Sequence, residues 1–190
     1  MKISRTELKI AAMATMLIDH IGQFLMPHTG ALYIACRVIG RISMPLFAFM
    51  IAQGAVYTKS RSKYVVRLIV CAFAAMLAYN LLDGDIFKWN PNVVFTYALA
   101  IGGICAYEKS ENRYGKLLIL AATTAISFLL QLEYSISALL LVWFFFFIRN
   151  FVQWRFYIGE GSPSMPNWVC YVFYPGHLLL IYLIRCLIRI

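Results

Sequence analysis

The hydrophobic positions of this chain fall in about seven long runs separated by short polar stretches, and a bilayer crossing needs about 20 mostly apolar residues. The runs cover residues 8–26, 31–57, 64–82, 92–107, 117–132, 135–148 and 168–184. Each predicts a membrane-spanning helix. Between them lie PHTG (27–30), KSRSK (59–63), DGDIFKWNP (83–91), EKSENRYGK (108–116) and a tight turn over 131–134. Residues 149–167, with Gly159, Gly161, Pro163 and Pro166, read as a loop. The expected fold is all-α: a polytopic transmembrane helix bundle of about seven spans (eight if a further segment inserts), forming a single transmembrane domain over 1–190. No small-x-small cleavage site follows the first run, so it is expected to be a mature span rather than a leader. No internal repeat is visible.

Composition supports this reading. Of 190 residues 62% are hydrophobic, and the mean hydropathy is +0.75. A soluble domain of this length has too small a core to hide that much apolar surface. The net charge of +9 would suggest nucleic acid in a soluble protein. Here it reads as the positive-inside bias of membrane loops, and no nucleic acid partner is expected. The five cysteines are isolated within apolar runs and form no CxxC, so no metal or redox motif is present.

Loop charges predict the orientation. KSRSK followed by Arg67 is the most basic loop and should be cytoplasmic, which puts the N-terminus, with Lys2, Arg5 and Lys9, on the same side. The acidic DGD loop then faces outward. One feature conflicts: seven spans put Arg185 and Arg189 outside, unless part of 151–157 re-enters the membrane or an eighth span exists.

Polar residues within the runs carry the candidate chemistry, because ionisable groups in a membrane are costly and mark sites. Asp19, His20 and Gln23 lie in the first run, and Arg37 and Arg41 in the second. Tyr79 and Asn80 close the third run, Asn92 and Thr96 open the fourth, Glu133 sits in the turn at 131–134, and His177 lies near the middle of the last. By depth, at about 1.5 Å per residue, these converge toward the outer leaflet. Asp19 and Gln23 share a helix face, as do Arg37 and Arg41, and a short turn could bring the two faces together. Asp19 is then the partner of the arginines. His20 is about 100° round the helix from Asp19, a poor position for a triad acid. His28 reads as a solvated loop residue, and the aromatic run 143–147 as lipid-facing or packing. Pro45 and Pro175 predict kinks.

The strings LIDHIG (17–22), RVIGRISMPLFAFMIAQG (37–54), NVVFTYAL (92–99) and FYPGHLLLIYL (173–183) resemble the TraX family of bacterial membrane proteins. The founding member of that family is linked to N-terminal acetylation of conjugative pilin. The family is similar in turn to the acyltransferase 3 superfamily, which moves acyl groups from coenzyme A to extracytoplasmic acceptors. The resemblance places Asp19, His20, Arg37, Arg41, Pro45, Asn92, Thr96 and His177 on motif positions. Where family members often carry a DYG-like string, this chain has Glu133, Tyr134 and Ser135.

The expectation that results is an acyltransferase of the bacterial inner membrane, N-terminus cytoplasmic, using acetyl-CoA as donor and no metal. His20 is the expected base, with His177 as the second candidate. Arg37 and Arg41, held by Asp19, would stabilise the oxyanion or bind coenzyme A phosphates. Lys59, Arg61, Lys63 and Arg67 satisfy positive-inside targeting by default, and in the acyltransferase reading they would also receive the adenosine phosphates. Asn80, Asn92, Thr96 and Glu133 would line the acceptor site, and the acceptor would be an extracytoplasmic peptide, glycan or lipid. The rival expectations are a proton-coupled small-solute transporter and a non-catalytic membrane assembly partner.

Overall fold

The computed structural model describes residues 4–149 and 165–188. It is helical, with no strand among the described residues. The helices are α1 (Arg5–Leu25), α2 (Ala31–Gly40), α3 (Ser43–Tyr57), α4 (Arg61–Asp83), α5 (Val93–Lys109), α6 (Arg113–Leu129), α7 (Ser135–Phe147) and α8 (Asn167–Ile188). Those over Arg5–Leu25, Ala31–Tyr57, Arg61–Asp83 and Asn167–Ile188 are long and apolar enough to cross a membrane, and α7 is a shorter apolar helix. With α2 and α3 taken as one broken run, the described helices match the predicted runs one for one. The expected re-entrant segment at 151–157 and Arg189 lie outside the described residues.

Local chemistry sets the helix ends. Ser4 and Glu7 form a capping box on α1: Glu7 N–H donates to Ser4 Oγ (3.2 Å) and Ser4 N–H to Glu7 Oε2 (2.7 Å). The side chains of Asn92 and Asn112 cap α5 and α6. The second run is not one helix. It breaks at Arg41 and Ile42, and Pro45 becomes the third residue of α3, in the first turn where a missing N–H costs nothing. Pro175 by contrast lies inside α8, which continues through it.

The described chain groups into two compact units, interleaved in sequence. The first comprises residues up to 47, then 74–88 and the C-terminal part containing α8; the second comprises 48–73 and 89–152. Helices α3 and α4 contribute residues to both.

In the first unit α1 packs against α2 and α8. A Cβ built on Gly22 would lie 2.7 Å from Cys36 Cβ, and one on Gly40 would overlap the Asp19 side chain. These two approaches fix an antiparallel register for α1 and α2, with small residues allowing close backbones. Helix α8 runs parallel to α1. Lys9 Nζ donates to Met165 O (2.6 Å) and Asn167 Oδ1 (2.7 Å) where both helices begin, and His20 meets His177 further along. A parallel α8 agrees with an odd number of crossings from α1 to α8. Arg185 thereby stands at the opposite end from Lys9, where it donates to Leu82 O (2.8 Å). That carbonyl belongs to the last turn of α4, where a cation is favoured. Arg185 therefore has a local role that loop-charge reasoning did not foresee.

In the second unit α5 packs against α6 and α7, and α6 against α7. Gly103 of α5 lets Thr123 of α6 and Trp143 of α7 approach its backbone. Trp143 and Phe146 are buried, whereas Phe144 and Phe147 are exposed, so the aromatic run divides into packing and outward-facing halves.

Candidate functional site: an imidazole pair beside a buried ion pair

The site is built on α1, which presents two adjacent polar residues in different directions. Asp19 faces α2. Its Oδ2 accepts from Arg37 Nη1 (2.9 Å), and the same Nη1 donates to Gln23 Oε1 (2.8 Å). Gln23 Nε2 in turn donates to the hydroxyl of Tyr79 on α4. The predicted face-to-face meeting of the first two runs is therefore present, through Arg37. Arg41 departs from the expectation. The helix ends at it, so the four-residue spacing no longer sets its direction, and it is exposed, although its charge still acts on Asp19. Asp19 Oδ1 is buried and accepts no hydrogen bond among the described residues. It lies against Gly40, whose lack of a side chain makes room for the carboxylate.

His20 faces α8. Its Nδ1 lies 2.6 Å from His177 Nε2, and His177 Nδ1 lies 2.7 Å from Phe173 O. A carbonyl only accepts, so His177 Nδ1 carries a proton. In the neutral ring His177 Nε2 must then accept, which puts a proton on His20 Nδ1. The lone pair of His20 is left on Nε2. The chain of bonds thus assigns one tautomer to each ring, as a carboxylate does in a hydrolase triad, but through a second imidazole and a helix carbonyl. Both histidines are buried. Phe173 stacks on His177 (centroids 4.8 Å, planes 14° apart), and Phe24 and Tyr174 flank His20. Arg37 is close enough for its charge to act on His20. Its Nη2 and Nε make no hydrogen bond among the described residues, so the guanidinium keeps donor capacity.

The other expected site residues are engaged in holding the fold. Asn80, fully buried, donates to Ile86 O (3.1 Å) and Lys88 O (2.7 Å), folding the loop after α4 onto its end. Asn92, Thr96 and Glu133 belong to the second unit. Asn92 caps α5 with Oδ1 and donates from Nδ2 to Ala72 O (2.8 Å). Thr96 Oγ1 donates to Glu133 O (2.9 Å), and Glu133 Oε2 accepts from Val93 N–H (3.0 Å). Together they tie the start of α5 to α4 and to the turn before α7. Turn residues Gln131 and Tyr134 both have positive φ, 52° and 53°. Arg61 donates to Ala55 O (2.7 Å) and pairs with Glu108, so it is largely committed. Lys59, Lys63 and Arg67 are exposed in the second unit.

Sequence reasoning missed the bond between the histidines and the role of Phe173 O. The available signal was the four-residue spacing from Phe173 to His177, which puts a side chain over the carbonyl one turn back.

A helical membrane protein whose first helix shares a hydrogen-bonded imidazole pair with α8 and a partly buried Asp–Arg pair with α2 is the class that fold and site define. The family model "TraX protein" matches residues 4–159, and the chain belongs to that family. A curated relative is the probable fimbrial assembly protein FimC, serogroup H1, of Dichelobacter nodosus, 29% identical over 107 residues. That match covers 52% of this chain and 44% of the relative, so the chain spans less than half of it. No solved structure matches the chain.

Proposed function

We propose that this chain is an integral membrane acyltransferase that moves an acetyl group from acetyl-CoA to an extracytoplasmic acceptor, such as a pilin or other peptide N-terminus, or a glycan. The observation that carries the reading is the bond sequence from Phe173 O through His177 to His20, which prepares His20 Nε2 as a proton acceptor. In the reaction an acceptor amine or hydroxyl attacks the thioester carbonyl. His20 Nε2 takes the nucleophile's proton as the new C–N or C–O bond forms. The cation that results is stabilised by its Nδ1–H bond to His177. The free donors of Arg37 offer positive charge to the developing oxyanion, with Asp19 and Gln23 fixing the guanidinium. When the tetrahedral intermediate collapses, the C–S bond breaks and His20 Nε2 returns its proton to the thiolate of coenzyme A. His177 is a positioning residue in this scheme. The membrane is taken to be the bacterial inner membrane with the N-terminus cytoplasmic, on the loop charges.

The test is free-thiol release from acetyl-CoA by the purified protein in detergent, with and without a peptide acceptor. His20→Ala should lower the rate by about 10²–10⁴, the usual worth of a general base. His177→Ala should lower kcat and shift the pH profile while leaving KM for acetyl-CoA near wild type. Equal turnover in wild type and both variants overturns the assignment of the base. Absence of coenzyme A binding overturns the acyltransferase reading. The name of the FimC relative favours a second reading, a non-catalytic partner in fimbrial assembly. That reading predicts copurification with a pilus subunit and no dependence on His20.

A further inference from the structure

Away from the imidazole pair, the second unit carries an apolar groove of about 520 Å³ lined by α4, α5 and α6. Helix α5 is its floor, where Ala98, Gly102 and Ala106 follow one another at four-residue spacing. A Cβ built on Gly102 meets no described residue within 4 Å, so the floor is open rather than packed among the described residues. Val65 and Ile69 of α4 form one wall, and Ile119 of α6 belongs to the other. The hydroxyl of Thr123 is turned to its own helix carbonyls, and the Trp89 indole at one end donates to Leu130 O (3.2 Å). The groove thus offers an occupant apolar surface and little else.

At its other end all three helices change character in the same way. One turn beyond Val65 on the same face of α4 is Arg61; one turn beyond Ala106 on α5 is Lys109; one turn before Ile119 on α6 is Lys116. The pair between Arg61 and Glu108 places these helix ends together and uses the charge of Arg61. Lys109 is exposed and makes no hydrogen bond or ion pair among the described residues. Lys116 Nζ is held 5.3 Å over the ring of Tyr107, a residue of α5. A positive-inside bias explains why this end is basic. It does not require that the cations fall on the three faces that line the groove.

We propose that the groove is a binding site for one anionic glycerophospholipid, with an acyl chain along α5 and the phosphate between Lys109 and Lys116. From Phe95 to Ala106 the floor runs about 16 Å at 1.5 Å per residue, close to one leaflet of a hydrocarbon core of about 30 Å. Basic pockets between membrane helices recognise anionic headgroups in this way. The site is independent of the acyl-transfer reading.

The experiment is native mass spectrometry of the full chain in detergent after incubation with phosphatidylglycerol or phosphatidylcholine. Wild type should hold one phosphatidylglycerol in preference to phosphatidylcholine. Gly102→Leu, which fills open space, should lose both lipids. The pair Lys109→Gln with Lys116→Gln should keep phosphatidylcholine binding but lose the preference, by about twenty-fivefold at about fivefold per lysine. Gly102 and Lys109 are exposed and Lys116 is half-buried, and an unchanged thermal midpoint confirms folding. Equal binding of the two lipids by wild type overturns the proposal. So does retention of the preference in Gly102→Leu. A lipid-free dimer that Gly102→Leu converts to monomer also overturns it, since the occupant is then a second copy.

Discussion

Substituting Gly40 with alanine should separate two helices that the buried ion pair needs close together. The new Cβ would lie 2.5 Å from Asp19 Cγ and nearer still to its Cβ and Oδ1. Ordinary carbon contacts begin near 3.5 Å, so α1 and α2 must part by about an ångström or Asp19 must leave its rotamer. Either movement stretches the 2.9 Å bond from Arg37 to Asp19. Overpacking costs about 1–3 kcal/mol, and a weakened buried pair adds to that. Alanine's better helix propensity returns at most about 1 kcal/mol. The net loss should be about 2 kcal/mol, or roughly 4–8 °C in a chain of this size. A fluorogenic thiol reagent reads the transition directly, because Cys36 and Cys71 are buried and become reactive on unfolding. Gly102→Ala is the internal control: it gains the same propensity, meets no neighbour, and should be neutral or slightly stabilising. In an Asp19→Gly background the cost of Gly40→Ala should largely vanish, since the Cβ, Cγ and Oδ1 that it meets are all gone. An undiminished cost in that background would refute the collision as the cause.

Three other outcomes follow from single contacts. Thr96→Val removes the donor to Glu133 O and leaves that carbonyl short of a partner, so it should cost about 1–2 kcal/mol, seen as a lower thermal midpoint with thiol release from acetyl-CoA unchanged. Glu108→Gln weakens a partly exposed pair with Arg61 and should cost less than about 1 kcal/mol, measured in the same thiol-dye assay at two salt concentrations. Asn80→Ala frees the loop over residues 84–88 from the end of α4, and limited proteolysis there should accelerate while cleavage elsewhere keeps its wild-type rate.

What the sequence reveals here and what it hides have separate physical causes. The apolar runs are legible because a bilayer imposes one length on every crossing, and the described helices fall where the runs do. The Asp19–Arg37 pair is legible because a short turn joins the two helices, so four-residue spacing on each is enough to align the faces. Arg41 shows the limit of that argument: spacing sets direction only while the helix continues, and the break before Pro45 ends it. The His20–His177 pair lies 157 residues apart in sequence. Only the parallel packing of α8 on α1 brings it together, and no local periodicity encodes which helices neighbour each other. Asn80, Asn92, Thr96 and Glu133 carry structural bonds that the sequence hides for a different reason. A polar residue in an apolar helix looks like a site, yet helix ends and turns buried away from water must find partners for their own N–H and C=O groups. These residues supply several of those partners. The discriminating quantity is therefore hydrogen-bonding capacity left over after the backbone is satisfied. By that measure Asn92 and Thr96 are spent on the fold, whereas His20 Nε2 on the α8 side of α1 and the second amine of Arg37 on the α2 side remain.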